Sequence, residues 1–280
     1  MTDFIPYLLS EMKAGRLPKP DVARWLTQYR GDQLTDAGVL HPLLGRNTSS
    51  LVEQRFSTRF TGEEFYLRDH VVCGQKVLPA VCCLEMAHAA VLRSTEFGED
   101  GGVELRDVVW LRPIVVTSPL EVHIALSAAE NGVIEFEIYS DDKNDEIVHA
   151  QGRALPVTGN DRLRSVDLEQ LRGGCGKNIE VDKCYQAFGS LGIEYGPSQR
   201  GLTAVNLGQD NAGRPYVLAK LEQPETAVMR GDSLFLHPSV ADSALQSSIG
   251  LRLGIEQNGE NKAAVPFALD SLCILHKLPA

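Results

Sequence analysis

From Val77 to Leu92 the chain reads VLPAVCCLEMAHAAVL, an apolar run broken only by Glu85 and His88. Pro79 opens it and no later proline or glycine interrupts it, so a helix is expected over about 79–93, apolar on nearly every face. Such a helix is stable only if other elements enclose it. The next segments supply the enclosure: VELRDVVWLRPIVV (103–116), LEVHIALSA (120–128), VIEFEIYS (133–140) and EIVHAQGRAL (146–155) alternate at strand period. Short turns of Asn, Gly and Asp between them imply an antiparallel meander. The expectation is a sheet wrapped around a buried helix.

The same grammar recurs later. Residues 1–38 read as two short amphipathic helices forming an N-terminal appendage, and 39–157 as the first unit, in which QRFSTRF and EEFYLRDH also alternate at strand period. Polar residues 158–178 read as a linker. Residues 179–280 then form a second unit: a helix near 181–191, strands near 201–209 and 214–222, an apolar helix over 238–254 and a strand over 263–275. Laying Pro79 on Pro238 sets LPAVCCLEMA against HPSVADSALQ, with Cys83 opposite Asp242, as a duplicated unit would require. The fold class expected is α+β.

Composition narrows the function. A formal charge of −10 opposes binding to phosphate backbones, so nucleic acid is not an expected partner. No uninterrupted apolar run is long enough to cross a membrane and the N-terminus lacks signal-peptide features, so no membrane association and a cytoplasmic location are expected. Cys73, Cys82, Cys83 and His88 do not have the spacing of a standard zinc site, and no metal is expected. The GGCG at 173–176 lacks the Lys-Ser/Thr of a phosphate loop.

Two titratable residues stand out. His70 begins H-x-x-x-G-x-x-x-x-P, with Gly74 permitting close backbone approach and Pro79 starting a helix whose positive end faces whatever lies beside the imidazole. His70 reads either as a base poised near neutrality or as a strand end bonded to backbone. Asp242 lies inside the apolar helix FLHPSVADSALQSSIGL, where desolvation would keep its carboxyl protonated, and Gln246 follows at i+4. A structural Asp–Gln pair would look the same. A base on one helix-bearing unit and an acid on the other would form the two-proton machinery of an elimination.

HPLLG (41–45), DHVVCGQKVLP (69–79), YGP (195–197) followed by Gly201 and Leu202, HPSVADSALQ (237–246) and VPF (265–267) together resemble the dehydratase domains of modular polyketide synthases. FTGEEFYLRDHVVCGQKVLP is most similar to synthases whose acyltransferase is a separate protein. The resemblance implies a double hotdog with its active site between two fused units. It implies a 3-hydroxyacyl thioester substrate on the phosphopantetheine arm of an acyl carrier protein, no cofactor bound by the domain itself, neighbouring synthase domains as partners, and a homodimer. It further implies that His70 removes the α proton and Asp242 protonates the leaving hydroxyl. Gly74 would direct a backbone N–H to the thioester carbonyl, Pro79 would shape that turn, and Tyr195, Gly196, Pro197 and Gln246 would support the acid and substrate.

The chain departs from the family pattern at Ala80, at Cys83 where a tyrosine is usual, and at Gln199 where a phenylalanine is usual; Cys83 and Gln199 are expected to line the tunnel. The alternatives are an isomerase shifting a double bond, a cyclase acting by oxa-conjugate addition, and a non-catalytic acyl-binding domain. Arg162, Arg164, Arg172 and Lys177 are candidates for docking an acidic carrier protein.

Overall fold

The structure, a computed structural model, describes residues 40–95, 102–142, 145–157, 165–227, 234–254 and 265–278. The expected N-terminal helices of 1–38, together with Arg162 and Arg164, lie outside the described residues. The strands are β1 (Arg46–Asn47), β2 (Gln54–Phe60), β3 (His70–Val72), β4 (Gln75–Lys76), β5 (Val103–Trp110), β6 (Leu120–Ala128), β7 (Ile134–Asp142), β8 (Asp145–Pro156), β9 (Cys175–Ile179), β10 (Ile193–Tyr195), β11 (Leu202–Gln209), β12 (Pro215–Leu221) and β13 (Ala268–Ile274). The helices are α1 (Phe65–Arg68), α2 (Ala80–Ser94), α3 (Leu168–Gly173), α4 (Val181–Ser190), α5 (Pro238–Gln246) and α6 (Ile249–Gly254).

Helix α2 is the apolar run of the sequence, and every residue from Val81 to Val91 is buried. An antiparallel sheet in the order β1-β2-β6-β7-β8-β5-β13 wraps it, contributing Phe56, Phe60, Leu105, Ile124 and Ile138 to one core. A second core, built around Cys184, Phe188, Ile193, Val205 and Ile249, lies under β12-β11-β9. Among the described residues, two strand pairings join the units. Strand β13 leaves the second half of the chain and pairs with β5, and β10 pairs with β3 in a small sheet with β4. The fold is a double hotdog of the α+β class.

Three expectations are corrected locally. Residues 63–70, expected to be extended, contain the helical turn α1. Glu64 accepts hydrogen bonds from Thr61 N–H and Gly62 N–H at 2.8 Å each, which turns the chain before Phe65. The single helix expected over 238–254 is two, α5 and α6. Ser247 Oγ donates back to the carbonyl of Ala244 at 2.7 Å, competing with the helix ladder where the axis breaks. Within the expected linker, Asp167 caps α3 by accepting from Gln170 N–H, and Lys177 and Asn178 pair with Leu207 and Asn206 to make β9.

The expected match of Pro79 to Pro238 is also displaced by one residue. Pro79 is the N-cap of α2, whereas Pro238 is the first residue of α5.

Candidate active site

His70 is placed by its neighbours on both sides. The carboxyl of Asp69 accepts from Ser198 N–H at 2.9 Å, from the Ser198 hydroxyl at 2.5 Å and from Arg68, while the Asp69 carbonyl accepts from Gly196 N–H at 2.8 Å. Burial pushes the Asp69 pKa up, but the bonds from Arg68 and Ser198 outweigh it and hold the group below its ordinary value. A Cβ on Gly196 would lie 2.6 Å from Asp69 Cγ, so this approach needs glycine. The carbonyl of Ser198 in turn accepts from Ser239 in the first turn of α5. One chain of bonds therefore fixes β3, the turn Pro197–Gln199 and α5 relative to one another.

The histidine's chemistry follows from a single contact. His70 Nδ1 lies 2.7 Å from the carbonyl oxygen of Val77. A carbonyl can only accept, so Nδ1 carries a proton, and Nε2 is the nitrogen on which a lone pair can stand. His41 shows the opposite arrangement: its Nδ1 accepts from Leu43 N–H, so Nε2 donates to Glu85 at 3.0 Å.

Asp242 on α5 is 5 % exposed. Burial raises its pKa, and the neighbouring His70, a hydrogen bond from Gln246 and the Tyr195 hydroxyl each draw it back only in part. Gln246 Nε2 donates to Asp242 Oδ2 at 2.8 Å and to the carbonyl of Gln199 at 2.9 Å. Because that carbonyl only accepts, the amide orientation is fixed, and Gln246 Oε1 accepts from the Tyr185 hydroxyl at 3.2 Å. Tyr185 OH itself accepts from Leu202 N–H. With Oδ2 occupied by Gln246, Oδ1 is the oxygen left to carry a proton. The Tyr195 ring stands 5.5 Å from His70.

The structure brings His70, Tyr195, Gly196, Pro197, Asp242 and Gln246 together. It does not bring Gly74 to them. Gly74, with φ of 78°, occupies the exposed tip of the β3–β4 hairpin, beyond His70 by the length of a short strand, about 7 Å. Cys83 is buried beside Trp110, and the thiol close enough to Asp242 to feel its charge is that of Cys82. Gln199 is fully buried within the wall of the site.

Sequence reasoning missed Tyr185, Asp69 and Ser198. Glu85 and His88, the two polar residues that break the apolar run, are both buried. Glu85 is fully enclosed and accepts from His41 and from the N–H groups of Phe235 and Leu236. Among the described residues no cluster of three or more His, Cys, Asp or Glu is arranged to hold a metal ion. No described helix is long and apolar enough to cross a membrane.

A family model described as "Polyketide synthase dehydratase domain" matches residues 41–141, and one described as "Polyketide synthase dehydratase N-terminal domain" matches 163–280. The crystal structure of a trans-AT PKS dehydratase domain from Brevibacillus brevis is 40% identical, covering 84% of this chain and 81% of that one with a TM-score of 0.75. The chain belongs to the trans-acyltransferase polyketide synthase dehydratase domains. Polyketide synthase PksN of Bacillus subtilis is 42% identical over 240 residues, 84% of this dehydratase domain but only 4% of PksN. The domain also matches two variants of the CurK dehydratase, whose parent belongs to the Curacin polyketide synthase. One carries histidine changed to phenylalanine, is 29% identical and covers 85% of this chain and 84% of its own, with a TM-score of 0.75. The other carries aspartate changed to asparagine, is 30% identical and covers 84% and 83%, with a TM-score of 0.73. Both are described as inactive.

Proposed function

We propose that this domain eliminates water from a 3-hydroxyacyl thioester carried on the phosphopantetheine arm of an acyl carrier protein, giving the 2-enoyl thioester. The observation that carries this reading is the pairing of a lone pair at His70 Nε2 with a buried, raised-pKa carboxyl at Asp242. Nε2 takes the proton from C2 while Oδ1 of Asp242 gives its proton to the hydroxyl on C3. The C3–O bond breaks, the C2–C3 double bond forms, and water leaves. The step is redox-neutral and needs no electron carrier. It leaves an imidazolium beside a new carboxylate, each stabilising the other until a proton returns from one to the other. The first-turn N–H groups of α2 are the donors suited to charge developing on the thioester oxygen. The inactive histidine and aspartate variants of CurK support the same pair here.

The acyl carrier protein and adjoining synthase domains are the partners in this reading, and a homodimer its assembly, which analytical ultracentrifugation tests. Intact-mass measurement of a 3-hydroxyacyl carrier protein should show loss of one water with the wild-type domain. His70→Phe and Asp242→Asn should each be slower by roughly 10²- to 10⁴-fold. An unchanged mass with a displaced double bond in an enoyl substrate would favour isomerisation instead.

A further inference from the structure

The side chain of Gln199 is completely buried, and among the described residues neither its Oε1 nor its Nε2 has a hydrogen-bond partner. A buried amide left without partners is costly, so its presence calls for a role that repays it. Its position is not arbitrary. Gln199 ends the turn Pro197–Gln199, which Asp69 holds against the strand of His70, and its own carbonyl is bonded to the Gln246 amide that orients Asp242. Gln199 therefore belongs to the segment that links the strand of the base to the helix of the acid.

We infer that Gln199 is a specificity-determining residue that binds a second hydroxyl group on the acyl chain, farther from the thioester than the one eliminated. A hydroxyl fits both orphaned atoms at once, donating to Oε1 and accepting from Nε2, whereas a carbonyl would satisfy only the nitrogen. In the proposed reaction the departing hydroxyl is met by Asp242. This inference rests on the dehydratase reading and adds the substrate class to it.

The test compares pantetheine thioesters of a linear 3-hydroxyacyl chain with matched chains bearing a further hydroxyl at C5 or C7. In the wild type, kcat/KM should favour one hydroxylated chain, and Gln199→Leu and Gln199→Met should lower kcat/KM for that chain by about tenfold more than for the linear one, removing the preference. Both variants should melt no lower than wild type, because an unsatisfied buried amide has been removed. Equal change on all substrates would overturn the inference, pointing to the leaving hydroxyl or a trapped water as the partner. A lower melting temperature in both variants would also overturn it, since the amide would then be satisfied within the protein. If the wild type dehydrates the linear chain but neither variant alters selectivity, only this inference fails; if it dehydrates none of the chains, the dehydratase reading fails with it.

Discussion

Tyr195 stands directly opposite His70 in the β3–β10 ladder, its ring inclined 60° to the imidazole, and it turns its hydroxyl toward Asp242. One side chain thus packs on the proposed base and steadies the proposed acid. Tyr195→Phe keeps the ring and removes the hydroxyl. Because that hydroxyl favours the ionised carboxyl, its loss should raise the Asp242 pKa further. We expect kcat to fall by about tenfold with KM little changed, and the high-pH limb of kcat to move upward. A limb that stays in place would dissociate the phenol from the acid.

Asp242 also sets a stability profile. Its folded pKa lies above the ordinary value of 3.8, so between those two values the folded state holds a proton that the unfolded chain has released. Stability contributed by the neutral carboxyl is full below about pH 3.8 and is lost as pH rises toward the folded pKa. Asp242→Asn has no such titration. Denaturant curves should therefore show the variant gaining on wild type as pH rises through this window, with the largest advantage once the pH exceeds the folded pKa. A difference that does not vary with pH would mean the carboxyl is not buried as described.

Glu85 should be among the most sensitive positions outside the reacting pair. It joins α2 to His41 and to the backbone of Phe235 and Leu236 just ahead of α5. Glu85→Ala strands two buried donors, on His41 and Leu236, and the partly buried N–H of Phe235, which at about 1–3 kcal/mol for each buried donor predicts a loss of roughly 2 kcal/mol or more in urea unfolding. A loss below about 1 kcal/mol would show that water replaces the carboxyl.

Gly74 offers a contrasting test. Its φ of 78° disfavours a side chain, yet a Cβ there meets nothing within 4 Å. Gly74→Ala should cost on the order of 1 kcal/mol in stability and leave turnover of a short pantetheine thioester nearly intact. A large drop in kcat at full folding would return Gly74 to the site and displace the α2 N-terminus as the source of oxyanion donors.

The long periodic elements were legible in the sequence because periodicity reports burial: β6 occupies the expected 120–128, and α2 lies within one residue of the expected ends. His70 and Asp242 were legible as a candidate pair because a titratable group in an apolar setting is conspicuous. Strand β9 was not, since CGKNI is poor in strand-forming residues and is held by its partner β11 rather than by its own preference. Tyr185 was hidden for a different reason. An amphipathic helix predicts which face is buried, but not that a hydroxyl on that face meets Gln246 on α5. The Trp110 neighbour of Cys83 was not legible, because helical spacing gives a rotation about the axis without saying which element occupies each side.

The pairing of β13 with β5 has a consequence for biosynthesis. Strand β5 is complete once Trp110 has been synthesised, but its partner runs from Ala268 to Ile274. While the ribosome translates the intervening residues, the nascent first unit carries a strand with one row of N–H and C=O groups unmatched. That is the template on which neighbouring chains aggregate. Mutations that delay β13 should therefore harm yield during expression more than they harm the finished protein, and chaperone demand should peak before residue 274 leaves the exit tunnel.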